Sequence, residues 1–347
     1  MTNLSHLYIA AVGILTPLGD SVSTCSAAIR AGVSRYGDIG YFNRRDYPMK
    51  GCYIPAEVLP KLEDSLIAPG IVTRERRLAR IAAPALQKVL GAVEHEAPLP
   101  LFLAGPDTLP GPVKSINGNI IKYIQTQAGI ELDLARTRYF ASGRSGVIEA
   151  LDLAFKFFES FNEDYVLVGG LDTYLDPTLL SVLDSEGRVL AENSQRGFAV
   201  SEGACFLMLT PKQELASNSI RICKPGMSRE EGHMYSEHPY MGEALSQAVA
   251  GAMQNANSTG CTALYSAMNG EDFFAKEYGV AVIRNKKYFA EDFEHFHPAD
   301  CYGDVGAASG AVLVAYAADE LSLSEKIAPA LVCTSSDLGR RSAVCLC

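Results

Sequence analysis

The sequence contains no CxxC pair, although it has nine cysteines, at positions 25, 52, 205, 223, 261, 301, 333, 345 and 347. Without paired thiols at ligand spacing no zinc motif is present, and an odd count spread over the whole chain does not read as a disulfide framework. Most of these cysteines stand inside apolar runs such as Ala204-Cys205-Phe206-Leu207, which predicts reduced thiols packed as small hydrophobes in a cytoplasmic protein. Basic residues are in deficit. With 30 Lys and Arg against 40 Asp and Glu the net charge is −10, which excludes a general nucleic-acid or anionic-membrane surface. Long apolar runs are also lacking. The opening MTNLSHLYIAAVGILTPLGD has no basic n-region and meets Pro17 before such a run forms, so it reads as neither a signal peptide nor a membrane span. No polar linker divides the chain. Its 347 residues, 48% hydrophobic and 20% charged, exclude disordered, collagenous and coiled-coil classes and predict one compact body with a sizeable core.

The elements alternate. Leu7 to Val12 reads as a strand that breaks at Gly13 and leads through Thr16-Pro17-Leu18-Gly19 into a helix near 21–31. Thr73-Arg74-Glu75-Arg76-Arg77 opens a helix carrying Leu78, Ile81, Ala82, Leu86 and Val89, and Leu101 to Ala104 reads as a buried strand. The second half repeats an order found in the first. Gly143 and Gly146 open one long helix, and Gly303 and Gly306 open another, from Val305 to Leu321. Each helix is followed by a buried strand, Tyr165–Val168 ending at Gly169-Gly170 in one case and Ala330–Cys333 in the other. A last apolar strand then follows each: Ala204–Leu209, within a terminal hairpin or strand pair at 197–210, and Ala343–Cys347. Two matched halves, 1–215 and 216–347, predict an α/β body of layered sheets around buried central helices.

Specific residues resemble the β-ketoacyl-acyl-carrier-protein synthases of the thiolase superfamily. Gly13-Ile14-Leu15-Thr16-Pro17-Leu18-Gly19 is similar to their first strand-turn, and Arg76-Arg77-Leu78-Ala79-Arg80 to the following long helix. Ala141-Ser142-Gly143, then Val168-Gly169-Gly170, then Arg196-Gly197-Phe198-Ala199-Val200-Ser201-Glu202-Gly203-Ala204 stand in the order of that family's nucleophile elbow, Gly-Gly strand end and hairpin. Gly303-Asp304-Val305-Gly306-Ala307-Ala308-Ser309-Gly310 looks like its second helix start. The resemblance spans nearly the whole chain and implies a thiolase-type five-layered α/β/α/β/α fold built from two duplicated halves.

The site positions depart from the family. Where the resemblance places a nucleophilic Cys at a helix N-terminus, this chain has Phe140, whose ring has no nucleophilic atom. The two family His positions correspond to Asn269 and Asp304, and the Lys position to Ala299. The gate loop corresponds to Asp337-Leu338-Gly339-Arg340, with Leu338 in place of the gating Phe. Phe140, Ser142, Leu338 and Gly339 are therefore expected to line a vestigial pocket, with Asn269 and Asp304 converging on it. The implication is loss of condensation chemistry.

Other residues leave alternatives open. Ser142 and Ser145 at the helix start serve either acyl transfer or helix capping, and Arg144 beside them binds an anion or pairs with a carboxylate. His295-Phe296-His297 with Asp300 and Cys301, and His233 with His238, are either metal ligands or hydrogen-bonded loop residues, and no metal or cofactor is assigned. Glu202 is expected to satisfy nearby backbone donors. Arg74, Arg76, Arg77 and Arg80 form either a docking face for an acidic carrier protein or a solvated helix face paired with Glu75 and other acids. Two function classes follow. One is a non-catalytic ketosynthase-like protein working through protein contacts, as a homodimer, as the inactive subunit beside a ketosynthase-like chain, or as an accessory or adaptor protein of the kind found beside bacterial type VI secretion components. The other is an enzyme with a repurposed site that binds or transfers acyl thioesters. The apolar run Thr137 to Ala141 is expected at a dimer seam.

Overall fold

The computed structural model describes residues 4–194, 196–324 and 327–347, so the first three residues of the N-terminal stretch lie outside the described residues. In chain order the first half contains β1 (His6–Leu15), α1 (Val22–Arg30), β2 (Gly37–Phe42), β3 (Pro48–Gly51), α2 (Thr73–Gly91), β4 (Leu101–Gly105), α3 (Asn119–Ala128), β5 (Arg138–Ala141), α4 (Gly146–Ser160), β6 (Val166–Thr173), α5 (Pro177–Ser185) and β7 (Glu202–Thr210). The second contains β8 (Ile222–Cys223), β9 (Gly226–Arg229), α6 (Ala244–Asn255), β10 (Cys261–Ser266), α7 (Asp272–Arg284), β11 (Phe289–Phe296), α8 (Ala299–Tyr302), α9 (Ser309–Leu323), β12 (Ala330–Ser335) and β13 (Arg340–Leu346). Local chemistry sets several of these bounds. The Ser21 hydroxyl accepts from Thr24 N at the start of α1, and Asp176 caps α5 ahead of Pro177.

Strand alternation builds the layers. On β4, β6 and β7 the residues Leu101, Leu103, Leu167, Phe206 and Met208 face α2 and α3 in one apolar cluster. The intervening Phe102, Val166, Val168, Cys205 and Leu207 face α4 and α9 in a second. Val332, Val344 and Leu346 of the other half close that central cluster from below, while Leu331, Cys333 and Cys345 point away to α6 and α7. The order is helices, sheet, helices, sheet, helices. The five-layered α/β/α/β/α arrangement expected from the sequence is the observed one.

Pairing departs from the expectation in four places. β1 runs through Gly13 to Leu15 because β7 pairs with it across that position, Gly13 opposite Phe206. β6 likewise continues past Gly169-Gly170 to Thr173, held by β7 on its flank. Residues 202–210 form one strand between β1 and β6 rather than a hairpin. The second central helix begins at Ser309, after a short 3-10 turn at Gly306–Ala308. The two sheets also merge: β1 pairs with β8 through His6 and Leu7, giving one eleven-stranded sheet, ten strands in a path from β11 to β5 and β9 beside β13 off that path. Among the described residues no helix is long and apolar enough to cross a membrane.

The helices α4 and α9 lie side by side in the centre, as expected of the two helices that follow Gly143 and Gly303. They pack tightly at Gly310, where an added Cβ would stand 2.8 Å from the Val147 Cβ. Gly310→Val is therefore expected to force the layers apart and lower the unfolding free energy by about 1–3 kcal/mol. Gly279→Ala in α7, exposed and with nothing within 4 Å of the new methyl, should instead raise it by up to ~1 kcal/mol. Urea denaturation of the two variants reads the difference.

Candidate functional site

Five loops converge where the two central helices begin. The turn before α4 supplies Arg144, the segment between α5 and β7 supplies Arg188, and the loop between β10 and α7 supplies Asn269 and Glu271. The turn before α9 supplies Asp304, and the β12–β13 loop supplies Asp337. All six side chains are buried, Arg144 to 2% exposure. They close a ring. Arg144 donates to Asp304 (Nε to Oδ2, 2.9 Å) and to Asp337 (2.8 Å), and Arg188 meets Asp337 at 3.0 Å and holds Glu271 with two bonds of 2.8 and 2.9 Å. Asn269 Nδ2 completes the circuit by donating to Glu271 (3.0 Å) and Asp304 (2.8 Å).

Two guanidiniums facing three carboxylates leave about one negative charge in a dry site, and aromatic rings cover the cations. The Phe198 ring lies 5.9 Å from Arg144 and 5.5 Å from Arg188, and Phe274 lies 5.1 Å from Arg144. Burial alone would push the Asp337 carboxyl up, but Arg188 and Arg144 hold it well below the usual carboxylate range. Burial is the largest effect on Arg144 and disfavours its charge, but Asp304, Tyr174 and Asp337 together outweigh it and push its pKa up.

A neighbouring carboxylate behaves oppositely. Asp107 accepts from the Asp337 backbone N at 3.2 Å, and its Oδ2 lies 2.2 Å from where a Cβ on Gly143 would stand. Gly143 has φ +50°, so glycine is needed there for conformation and for space. The second half repeats this device: Gly306, at φ +53°, faces the Asp172 carboxylate, which accepts from Ala307 N at 3.0 Å. Burial, reinforced by the Asp337 charge, pushes Asp107 up to about 7. The cavity beside the ring, lined by Arg74, Asp107, Gly143, Arg144, Asp172 and Asp337 among others, measures about 20 Å³, enough for one water and not for an acyl chain.

Asn269 and Asp304 thus meet, and Leu338 and Gly339 sit on the Asp337 loop, Leu338 half-buried. Phe140 is half-buried on β5 and packs against the central apolar cluster, outside the hydrogen-bonded ring. Ala299 is buried and its carbonyl accepts from the Tyr36 hydroxyl, 2.8 Å away. Ser142 is used through its carbonyl, which accepts from Ser336 Oγ. Ser145 Oγ donates to the carbonyls of Thr334 (3.2 Å) and Arg340 (3.0 Å), partners that can take no proton. For Arg144 the carboxylate alternative holds. Arg188, Glu271 and Asp337 carry no local sequence signal for this role; an arginine set between Gly143 and Ser145 was the one cue that buried acids lay opposite.

The basic run requires a correction. Arg74 pairs with Asp172 at 3.0 Å, Arg77 pairs with Glu202, Arg76 donates to the carbonyls of Leu66 and Ala68, and Arg80 donates to those of Pro60, Ala56 and Leu59. Arg74 is buried and Arg77 half-buried, each paired with an acid, whereas Arg76 and Arg80 are half-buried, bond carbonyls and keep their charge. Arg76, Arg77 and Arg80 fasten residues 54–68 onto α2, and Arg74 ties α2 to the end of β6. Glu202 also accepts from Ile54 N at 2.8 Å and from the Thr173 hydroxyl at 2.9 Å. His295 bonds Ser266 Oγ at 2.8 Å, with its pKa lowered by burial to about 4, and His297 pairs with Asp300 at 3.1 Å. Among the described residues no three His, Cys, Asp or Glu are grouped to hold a metal.

Two outcomes are expected. Asp304→Ala leaves Arg144 short of its counter-charge in a dry site and should cost about 3–5 kcal/mol of stability in urea denaturation. Asp107 retains its proton in the folded chain up to about pH 7, whereas an unfolded aspartate loses it near ~3.9. The folded state therefore binds more protons across that window, and this group's contribution to stability falls as pH rises through it. Asp107→Asn should accordingly gain stability relative to the parent between about pH 4 and pH 8, read from urea midpoints.

No protein-family model matches the sequence, and no curated protein is detectably similar to it. Solved structures do match. A ketosynthase in complex with its chain length factor from Xenorhabdus doucetiae gives a TM-score of 0.77 at 16% identity, covering 100% of this chain and 98% of that one. The ishigamide ketosynthase/chain length factor gives 0.76 at 13% identity, with 99% and 98% covered. A type II polyketide acyl-carrier protein in complex with its ketosynthase bound to the hexaketide gives 0.76 at 14% identity, with 99% of each chain covered. The chain has the thiolase-type fold of the ketosynthases and chain length factors.

Proposed function

We propose that the protein is a non-catalytic ketosynthase-like chain that works through protein–protein contacts, as the partner of a ketosynthase-like chain in the manner of a chain length factor. The observation that carries this reading is the closed ring of Arg144, Asp304, Asn269, Glu271, Arg188 and Asp337. It fills the meeting point of the two central helices with side chains bonded to one another, none of which is a thiol, imidazole or amine able to attack a thioester. The cavity of about 20 Å³ beside it supports the same reading over acyl transfer.

The sheet edges favour β5 as the contact. At one end of the strand path β11 exposes Glu291, Asp292 and Glu294, charges that discourage edge pairing. At the other end β5 carries Arg138-Tyr139-Phe140-Ala141, with no acid and no proline, and among the described residues pairs only with β4. Beside it lies a groove of about 220 Å³ lined by Phe102, Leu153, Phe157 and Phe161, with Arg136 and Arg138 among its walls. A partner strand on this edge satisfies its open backbone groups and covers the groove. The same edge in two copies of the chain would give a homodimer.

Co-expression with ketosynthases from the native host, followed by size exclusion, tests the pairing; a monomer that recruits none of them overturns it. Incubation with acyl-carrier and coenzyme A thioesters should leave the intact mass unchanged, and an acyl adduct would favour the repurposed enzyme. Phe140→Cys is expected to give no condensation product, because Asn269, Asp304 and Ala299 still supply neither imidazole nor amine.

A further inference from the structure

The two-residue strand β8 joins the two sheets. Its two residues carry the pairing between the sheets: Ile222 and Cys223 face Leu7 and His6 of β1, and Ile222 faces Leu346 of β13. One further pair of backbone bonds, Arg221 N to Cys347 O at 2.8 Å and Cys347 N to Arg221 O at 3.0 Å, extends the β13 side. At this joint the sulfurs of Cys223 and Cys347 lie 3.7 Å apart, although 124 residues separate them in sequence. Eight of the nine cysteines are buried, and Cys347 is the exception.

We propose that Cys223 and Cys347 are an oxidisable pair, converted by a low-molecular-weight disulfide into an intramolecular disulfide that braces the joint between the two sheets. A disulfide needs ~2.05 Å between sulfurs, so the two must approach by about 1.7 Å, through side-chain rotation and a small shift of the backbone at 347. The half-buried Cys347, whose thiol is pushed up by the neighbouring Cys223 thiol and by burial, attacks through its minor thiolate form one sulfur of glutathione disulfide and expels one glutathione thiolate. The Cys223 thiolate then attacks the Cys347 sulfur and expels the second. Two protein thiols are oxidised, one glutathione disulfide is reduced to two glutathiones, and the thiol protons end on the released thiolates. Cys345, one residue from the Leu346–Ile222 pair and opposite Cys223 in that register, is fully buried and out of the reagent's reach. The neighbouring Cys345 thiol and burial push Cys223 up to about 12, so closure is slow near neutral pH and is followed over hours.

The test treats the full chain with glutathione disulfide, blocks remaining thiols with N-ethylmaleimide, and maps peptides without reduction. A Cys223–Cys347 link is expected, with loss of two hydrogen masses and a melting temperature raised by roughly 5 °C. Cys345→Ser should form the same link, and Cys347→Ser should form none and keep its melting temperature. A lasting glutathione adduct on Cys347, a link through Cys345, or no reaction while the urea-unfolded chain reacts would each overturn the pair. A link without a rise in melting temperature would overturn the brace.

Discussion

Arg144 sits at the start of a central helix with almost no solvent contact, and a guanidinium cannot be left there without counter-charge. Its partners, Asp304 and Asp337, come from the other half of the chain. Meeting that requirement fixes the position of the turn before α9 and of the β12–β13 loop. Asp337 in turn engages Arg188, and Arg188 engages Glu271, so one buried cation specifies the arrangement of five loops. Replacing such a ring by apolar residues of similar volume is often neutral or stabilising elsewhere. Its consequence here is geometric: the ends of the two central helices are held at one distance and one orientation.

The device stands on a pseudo-symmetric scaffold. Each half opens its central helix with a glycine in the left-handed region, and each such glycine faces a carboxylate, Asp107 against Gly143 and Asp172 against Gly306. Asp172 is paired with Arg74, whereas Asp107 bonds a backbone N–H and faces the like charge of Asp337. The two halves thus keep one backbone plan and divide in their electrostatics. The meeting point of the two central helices is filled by side chains that pair with one another.

A second buried pair supports the first. Arg341, opposite Glu277 at 2.7 Å, donates to the carbonyls of Ser336 and Arg340, and Ser336 bonds Ser142 and Ser145. The loop that presents Asp337 is therefore tied on both sides, to the outer helix α7 and to the start of α4. This packing order, outer helix to loop to central helix, explains why the ring can be dry and still well connected.

Much of the fold was legible in the sequence. The continuous apolar runs at 101–104 and 204–209, the helical spacing from Thr73, and the paired glycines at 143, 146, 303 and 306 report local conformation, and local conformation is what sequence pattern encodes. The breaks expected at Gly13 and Gly169-Gly170 were not breaks, because flanking strands supplied the pairing that glycine alone does not favour. The sequence by itself also determined that Phe140 and Ala299 carry no nucleophilic or proton-transferring atom and that Asn269 and Asp304 cannot carry positive charge, since that follows from side-chain type. Only the tertiary structure decided that Asp304 is neutralised by Arg144 and that Arg188 and Glu271 belong to the same ring. It also decided that the arginines of α2 are consumed within the chain and that Cys223 touches Cys347. Each of these depends on which distant residues share a low-dielectric space, and burial and charge pairing exist only once the two halves have packed.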